Sequence, residues 1–226
     1  MKKVTIILVA LVFIVAAKAQ SSNNKIAAKT GSQYVGMNLL QYTSLTINGN
    51  YSKEYKPWIT GMADIGYTLN YSKTNPYDVV GYILTPHKKG VNEGFDLSKQ
   101  NGGYLKIGAF YNFRKTYEKT NYVHLGLFLN NSFVYEKALF TDPKLDFHPY
   151  PVPYSHGVLM SGLSVSAGYE FKFLKFLVSS VDFQVSLPTG NYKDLYGYSN
   201  FIPGMGHKDV NSYWFPMLIW NVKYKL

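Results

Sequence analysis

The sequence contains no cysteine. This excludes a disulfide framework, a thiol nucleophile, thiolate metal sites and a lipid-anchored cysteine behind an export signal. Acidic residues are few, with 13 Asp and Glu against 23 Lys and Arg, so the formal charge is +10. Beyond residue 20 there is no unbroken apolar run of the roughly 20 residues that a spanning helix requires. We therefore predict that no helix after this point crosses a membrane.

The first 19 residues have the pattern of an export signal. Lys2 and Lys3 precede an apolar run over residues 4–17, and Ala17-Lys18-Ala19 is a small-residue cleavage site. A true membrane anchor is the alternative, but the run is shorter than a span requires. Cleavage would remove three lysines and lower the formal charge from +10 to +7 (10 minus 3).

Tyrosine is abundant, at 21 of 226 residues. A chain that is rich in aromatic residues and poor in Glu and Arg is typical of a β protein and not of an α/β enzyme. Removal of residues 1–19 leaves 207 residues (226 minus 19), which is the size of one domain. We predict a signal peptide over 1–19, a polar periplasmic lead-in over 20–33 and an outer-membrane β-barrel over 34–226.

The clearest pattern is a long hairpin over residues 158–187. Apolar and polar residues alternate with period two in residues 158–171 and again in residues 177–187, which indicates two antiparallel strands joined by a short turn. Alternation does not show which face points inward, because a soluble barrel of the lipocalin type buries its apolar face and a membrane barrel exposes it to lipid.

The composition of the polar face favours the membrane barrel. A water-exposed sheet face is usually rich in Lys, Glu and Arg, whereas this face carries Gly, Ser, Gln and only two carboxylates. Small side chains with little charge suit the inside of a narrow barrel. We therefore predict that the apolar faces of the strands contact lipid.

The same alternation predicts eight strands in all. A break at Gln41 and Tyr42 separates the first two, and one continuous strand is the alternative. Dropping the break would leave seven strands, whereas single-chain outer-membrane barrels have an even number. The predicted strands are Tyr34–Leu40, Thr43–Lys53, Trp58–Tyr71, Tyr104–Arg114, Tyr122–Tyr135, Val158–Phe171, Leu177–Leu187 and Ser212–Leu226.

Loop lengths predict the orientation of this barrel. The segments 72–103, 136–157 and 188–211 are long and fall at one end, which we assign to the outside of the cell. The short turns near 54–57, 115–121 and 172–175 fall at the periplasmic end, as in outer-membrane barrels. Asn101-Gly102-Gly103 is expected to be a turn, and residues 79–84 are a candidate extension of strand beyond the membrane.

From about residue 102 the chain resembles a Bacteroidota family of outer-membrane β-barrel proteins of unknown function. The similarity rests on GGYLKIGAFYNF, on YVHLGLFLNNSF and on NFIPGMGHK before the last strand, and it covers residues 102–226. The first 100 residues depart from the family pattern. The resemblance implies an outer-membrane location and a barrel fold, and it supplies no catalytic residues.

The inward faces contain a small set of ionisable side chains. An eight-stranded barrel is just wide enough to be filled by its own side chains, so we predict no open pore. Ions buried there have to pair with one another. The predicted structural ionic network consists of Asp64, Lys106, Arg114, Glu170, Asp182 and Lys223.

Catalysis is a weaker interpretation of this sequence. Each long loop contains histidine and aspartate, which would allow a hydrolase site at the outer rim, but neither G-x-S-x-G nor H-E-x-x-H occurs. No histidine pair has a diagnostic metal spacing, so we predict no metal, no cofactor and no enzyme activity. The residues that a rim site would use are His87, His148, His156, His207, Asp142, Asp146 and Asp209.

The loops also predict contacts outside the barrel. Tyrosine among Gly, Asn and Pro resembles the composition of a binding surface for a glycan or protein. The candidate aromatics are Tyr150, Tyr154, Tyr192, Tyr196, Tyr198 and Phe201. Lysines at the strand ends are expected to meet anionic lipid or lipopolysaccharide phosphates, since an export signal argues against nucleic acid.

We therefore expect a monomeric, non-enzymatic outer-membrane barrel with a structural or surface-binding role. A narrow channel is the first alternative function, and an outer-rim hydrolase is the second.

Overall fold

Eight antiparallel strands close into a barrel in a computed structural model that describes residues 31–71, 95–140, 151–190, 200–208 and 213–226. Around the barrel, each wall strand pairs with the wall strands before and after it in the chain, and the last wall strand pairs with the first. The wall strands are β1 (Gln33–Asn38), β2 (Thr46–Lys56), β3 (Ile59–Tyr71), β4 (Phe95–Asn112), β5 (Tyr122–Phe140), β6 (Val152–Lys172), β7 (Leu177–Gly190) and β10 (Phe215–Lys225). The prediction of an eight-stranded antiparallel up-and-down barrel is confirmed.

The alternation of residue types sets the register of the wall. On β5, Leu127 and Leu129 point outward and are more than half exposed, whereas Phe128 and Asn130 between them are almost fully buried. Leu129 pairs with Ile107 on β4 and with Leu163 on β6, so the outward apolar positions of adjacent strands lie side by side. A shift by one residue would exchange the two faces, and therefore the pattern specifies one register.

The break between β1 and β2 is real. A 3-10 helix, Leu40–Ser44, connects the two strands, and Leu45 at its end has a positive φ of 56°. The side chain of Gln41 in this helix is fully buried, so the connection folds over the barrel mouth. The described residues contain no helix long and apolar enough to span a membrane.

Several wall strands extend further toward the long-loop end than predicted. β4 begins at Phe95 instead of Tyr104, β5 ends at Phe140 instead of Tyr135, and β6 begins at Val152 instead of Val158. The predicted long loops 72–103 and 136–157 are therefore partly strand. Residues 79–84, the candidate additional strand, lie outside the described residues.

The predicted turn at Asn101-Gly102-Gly103 is wrong, because these residues continue β4. Gly102 pairs with Thr68 on one side and Val134 on the other. A Cβ at Gly102 would overlap the carbonyl oxygen of Phe133 and would lie 3.2 Å from Cγ of Pro203. Glycine is required here because the segment that contains Pro203 approaches the wall closely, and not because the chain turns.

That segment is a hairpin within the third long loop. It consists of β8 (Asn200–Ile202) and β9 (Gly206–Lys208), which pair antiparallel through a turn at Pro203–Met205. Phe201, Ile202 and Met205 are fully buried. We call β8, its turn and β9 the plug hairpin, since the contacts below place it inside the barrel mouth.

Two glycines, one on each face of the wall, test the assignment of inward and outward positions. A Cβ at inward Gly108 would overlap the backbone of Leu127 and Phe128, whereas a Cβ at outward Gly49 meets nothing within 4 Å. We expect Gly108→Ala to lower the free energy of unfolding by about 1–3 kcal/mol and the matched Gly49→Ala to change it by less than about 0.5 kcal/mol. Urea titration of the refolded protein measures both, and equal effects would contradict the assignment of faces.

Candidate functional site

The layer of side chains nearest the short turns is ionic. Arg114 contacts Oε1 of Glu54 through Nη2 and donates through Nε to the carbonyl oxygen of Pro57 at 2.8 Å. The Glu54 carboxylate also accepts from the Tyr34 hydroxyl at 3.3 Å and from the Ser32 backbone N–H at 3.2 Å. Both charges are buried, so their pairing offsets the cost of removing them from water.

A second ion pair lies beside the first. Lys223 donates to Oε2 of Glu170, and the Tyr122 hydroxyl donates to Oε1 of the same carboxylate. The Arg114 guanidinium lies 4.2 Å from the centre of the Tyr122 ring, which is a favourable cation–π distance. The two pairs therefore form one unit. We call it the turn-end cluster, and its members are Glu54, Arg114, Glu170, Lys223, Tyr34 and Tyr122.

His124 and Asp182 occupy the next layer along the barrel. His124 Nε2 contacts Oδ1 of Asp182, and the Ser180 hydroxyl donates to the other carboxylate oxygen at 2.8 Å. Three residue types of a hydrolytic triad are thus present, but the serine bonds to the aspartate and not to the histidine. A serine nucleophile has to be hydrogen-bonded to its base, so this group is a buried structural contact.

An apolar layer of Met62, Phe110 and Phe128 lies beyond His124. The rings of Phe110 and Phe128 meet edge to face with their centroids 5.0 Å apart, and Phe110 lies 4.5 Å from the His124 ring. Aromatic side chains of this size fill the cross-section between the polar layers.

A third buried ion pair lies on the other side of this apolar layer. Lys106 Nζ is 3.3 Å from Oδ2 of Asp64 and donates to Oε1 of Gln184 at 3.3 Å. The Tyr104 hydroxyl lies 3.0 Å from Oδ1 of Asp64 and 2.8 Å from Oε1 of Gln41. Gln41 belongs to the 3-10 helix, so this network ties the first connection to the barrel interior.

The plug hairpin closes the end of the barrel near the long loops. Its backbone carbonyls accept from inward side chains of the wall: Gln184 donates to Gly204 at 3.0 Å, Ser186 donates to Met205 at 2.7 Å, and Gln100 donates to Phe201. Its apolar side chains pack against buried wall residues in one cluster. The members of that cluster are Val134, Val158, Met160, Ile202, Met205 and Phe215.

The six predicted lumen ions all lie inside the barrel, and every one is at least nine-tenths buried. The structure brings them together in pairs, but not as a single group. Lys106 pairs with Asp64 and Lys223 pairs with Glu170, whereas Asp182 pairs with His124 and Arg114 pairs with Glu54.

The sequence interpretation missed Glu54 because it placed this residue in the turn 54–57. Asn48, Asn50 and Ser52 already mark the inward positions of β2, and the next inward position in the series is Glu54. Extending the alternation by one more step would have found the partner of Arg114.

The prediction that Phe201 is an exposed binding aromatic is wrong. Its side chain is fully buried in the plug hairpin, because the loop folds back into the barrel and does not project from it. Tyr154 lies on β6 and is about two-fifths exposed (41%). The other candidate aromatics, Tyr150, Tyr192, Tyr196 and Tyr198, lie outside the described residues.

The histidines do not form an exposed rim site within the described residues. His207 is buried in the plug hairpin with its ring 5.7 Å from that of Phe201, and burial lowers the pKa of His207 to about 4. It is therefore not available to the rim site that was the weaker interpretation of the sequence. His156 lies half-buried on β6. His87, His148, Asp142, Asp146 and Asp209 lie outside the described residues.

The outer surface of the wall is apolar over most of its circumference. Ile65 is 63% exposed and Leu129 is 65% exposed. Other large apolar or aromatic side chains at outward positions are Tyr67, Leu105, Ile107, Tyr111, Val123, Leu125, Leu127, Phe133, Leu159, Val165, Tyr169, Val181, Phe183, Leu187 and Trp220. We call this surface the apolar belt.

No family model matches the chain, and no curated protein matches it. Among solved structures, the N-terminal β-barrel domain of Pseudomonas aeruginosa OprF matches with 8% identity over 87% of this chain and 98% of that chain, at a TM-score of 0.37. Ail, the attachment invasion locus protein of Yersinia pestis, matches with 11% identity over 87% of this chain and 97% of that chain, at a TM-score of 0.39. Acinetobacter baumannii CarO matches with 11% identity over 89% of this chain and 100% of that chain, at a TM-score of 0.36.

The Lys106–Asp64 pair provides a test of the ionic interior. We expect Lys106→Met to lower the free energy of unfolding by about 3–5 kcal/mol, because it leaves the Asp64 carboxylate buried without its cation. The double variant Lys106→Met with Asp64→Leu should lose less than Lys106→Met alone, since no uncompensated charge remains. Urea titration measures both variants, and a double variant less stable than the single one would contradict this account.

Proposed function

We propose that this protein is a small non-enzymatic β-barrel of the bacterial outer membrane with a closed lumen and a structural or surface-binding role. The observation that carries the proposal is the apolar belt. A water-soluble monomer rarely exposes a contiguous apolar patch beyond a few hundred Å², and outward leucines, valines and isoleucines surround most of this wall. In hydrocarbon the same surface is the favourable one.

The ends of the barrel fit a membrane interface. Near the short turns, Trp58 and Phe113 are each about half exposed. Lys56 Nζ lies 5.1 Å from the centre of the Trp58 ring. Aromatic rings with neighbouring cations are typical of the depth at which lipid headgroups begin. Together with the export signal, this arrangement favours the outer membrane, with the short turns on the periplasmic side.

The interior supports a structural role in preference to transport. Ionic, apolar and polar layers follow one another along the lumen, and the plug hairpin covers the end near the long loops. An eight-stranded barrel has no space for a channel once its interior positions carry large side chains. Two surfaces remain for function. The long loops would bind a glycan or protein partner, and the outer face of the wall would contact lipid.

A charge placed on the apolar belt tests the membrane location. Leu129 lies about midway between Tyr122 and Tyr135 on β5, and Phe113 lies near the short turns. We expect Leu129→Arg to lower the free energy of unfolding in lipid by about 2–4 kcal/mol and Phe113→Arg by at most about 1 kcal/mol, because the cost of a charge depends on its depth. Urea titration in lipid vesicles gives both values. If both variants are as stable as the wild type, the belt faces water and the proposal fails.

A narrow channel is the alternative function, and one observation favours it. The plug hairpin is part of a loop and not of the wall, and it is held by hydrogen bonds and apolar contacts that can separate.

Conductance in planar bilayers separates the two functions. We expect neither the wild-type protein nor a variant with residues 200–208 replaced by a short Gly-Ser linker to conduct, because the layers below the plug hairpin still fill the lumen. Discrete current steps from the wild-type protein would favour a channel. Steps from the variant alone would mean that the plug hairpin is the only barrier.

A further inference from the structure

The short-turn end of the barrel contains a cavity of about 120 Å³ with lysines at its rim. Three lysines line it: Lys172 at the end of β6, Lys175 in the β6–β7 turn and Lys225 at the end of β10. The lining also includes Thr120 and, from the turn-end cluster, Glu54, Glu170 and Arg114. The β6–β7 turn and the end of β10 are adjacent, because the backbone N–H of Lys225 donates to the carbonyl oxygen of Phe176 at 2.9 Å. Two chain segments thus bring three cations to one opening.

The acidic and basic members of the turn-end cluster are already paired with one another. Glu54 is paired with Arg114, and Glu170 is paired with Lys223. Arg114 also donates to the carbonyl oxygens of Pro57 and Lys119. By contrast, no other described residue forms an ion pair or side-chain hydrogen bond with Nζ of Lys172, Lys175 or Lys225. The lining of the cavity therefore has three positive charges that are not neutralised by another described residue.

The turn that carries two of these lysines is amphipathic. In Phe171-Lys172-Phe173-Leu174-Lys175-Phe176, Phe173 is 68% exposed and Leu174 and Phe176 are nearly half exposed. Exposed aromatic and aliphatic side chains next to lysines are the arrangement that sits in a lipid interface, with rings in the acyl boundary and ammonium groups among the headgroups. A soluble anion would contact the lysines alone, whereas a lipid would contact both the lysines and their apolar neighbours.

We propose that this cavity binds the phosphate of an anionic phospholipid headgroup in the leaflet at the short-turn end, held by Lys172, Lys175 and Lys225. The cavity is smaller than the roughly 300–1,000 Å³ pockets that enclose whole ligands, so it fits one headgroup phosphate while the acyl chains remain beside the wall. The inference rests on the proposed membrane location. It adds a specific lipid site, built on the turn-end cluster, to a surface that otherwise contacts lipid without selection.

The test is retention of lipid by the detergent-solubilised full chain, measured by native mass spectrometry after mixing with phosphatidylglycerol or phosphatidylcholine. We expect the wild-type protein to retain phosphatidylglycerol about tenfold or more over phosphatidylcholine, since each lysine near an anionic surface strengthens binding by about fivefold. The triple variant Lys172→Gln, Lys175→Gln, Lys225→Gln should lose this preference.

A second triple variant controls for charge alone. Lys53→Gln, Lys115→Gln and Lys119→Gln remove the same charge from the same end of the barrel, but these lysines do not line the cavity. This variant should keep the preference for phosphatidylglycerol. Equal loss in the two variants, or no preference in the wild type, would overturn the site. Inorganic phosphate displacing the lipid at equal concentration would overturn the lipid as its ligand.

Flotation with phosphatidylcholine vesicles separates this inference from the proposed function. Wild-type protein and both triple variants should float with the vesicles, since the apolar belt is unchanged in all three. Protein that floats but shows no lipid preference loses only the headgroup site. Protein that refolds but does not float with any vesicle contradicts the membrane location itself.

Discussion

The narrow lumen of an eight-stranded barrel is the constraint on which the rest of this structure depends. Each wall strand sends every second side chain into a space with almost no water, so inward polar groups have to bond to one another. Many of the inward polar groups meet this requirement through four buried charge contacts and a series of hydroxyl and amide hydrogen bonds, whereas buried hydroxyls such as those of Ser52, Ser132 and Ser166 form none. Most of the large aliphatic side chains are at outward positions, so the outer surface is apolar.

The same constraint explains the glycines and the plug hairpin. Large inward side chains such as Phe128 and Asp182 fit only because Gly108, Gly126 and Gly168 leave space opposite them. At the end near the long loops the wall strands extend past the ionic layers, and several of their inward residues are apolar. The plug hairpin covers those residues, since water would otherwise contact Met160, Phe215 and their neighbours.

Period-two alternation was enough to predict the number of strands, their order and the lumen positions of six charged residues. It was insufficient at the ends of strands. Residues 95–103 are polar and end in two glycines, and residues 136–140 begin with two charges. Both segments form strand because neighbouring strands supply their hydrogen bonds. Glu54 was missed for the same reason.

The plug hairpin was missed because its partners are distant in sequence. One signal was present: the inner face of the last strand begins with the apolar residues Met217 and Ile219, so its two faces differ less than those of the other strands. In the structure both residues are buried, and Met217 lies against Gly206 of the plug hairpin. An apolar stretch on the inner face near a barrel mouth indicates that another segment of the chain packs against it. This signal was not used, and Phe201 was therefore wrongly predicted to be exposed.

A membrane location requires that the apolar belt contact hydrocarbon, and Trp220 reports on this contact directly. Its side chain is at an outward position near the middle of β10 and is 43% exposed. The measurement is fluorescence quenching of a Trp58→Phe, Trp214→Phe variant in vesicles whose acyl chains carry bromine, compared with quenching by aqueous iodide. Strong quenching by the brominated chains and little by iodide is the result we predict. Strong quenching by iodide with none from the acyl chains would show a belt that faces water, and it would contradict the account.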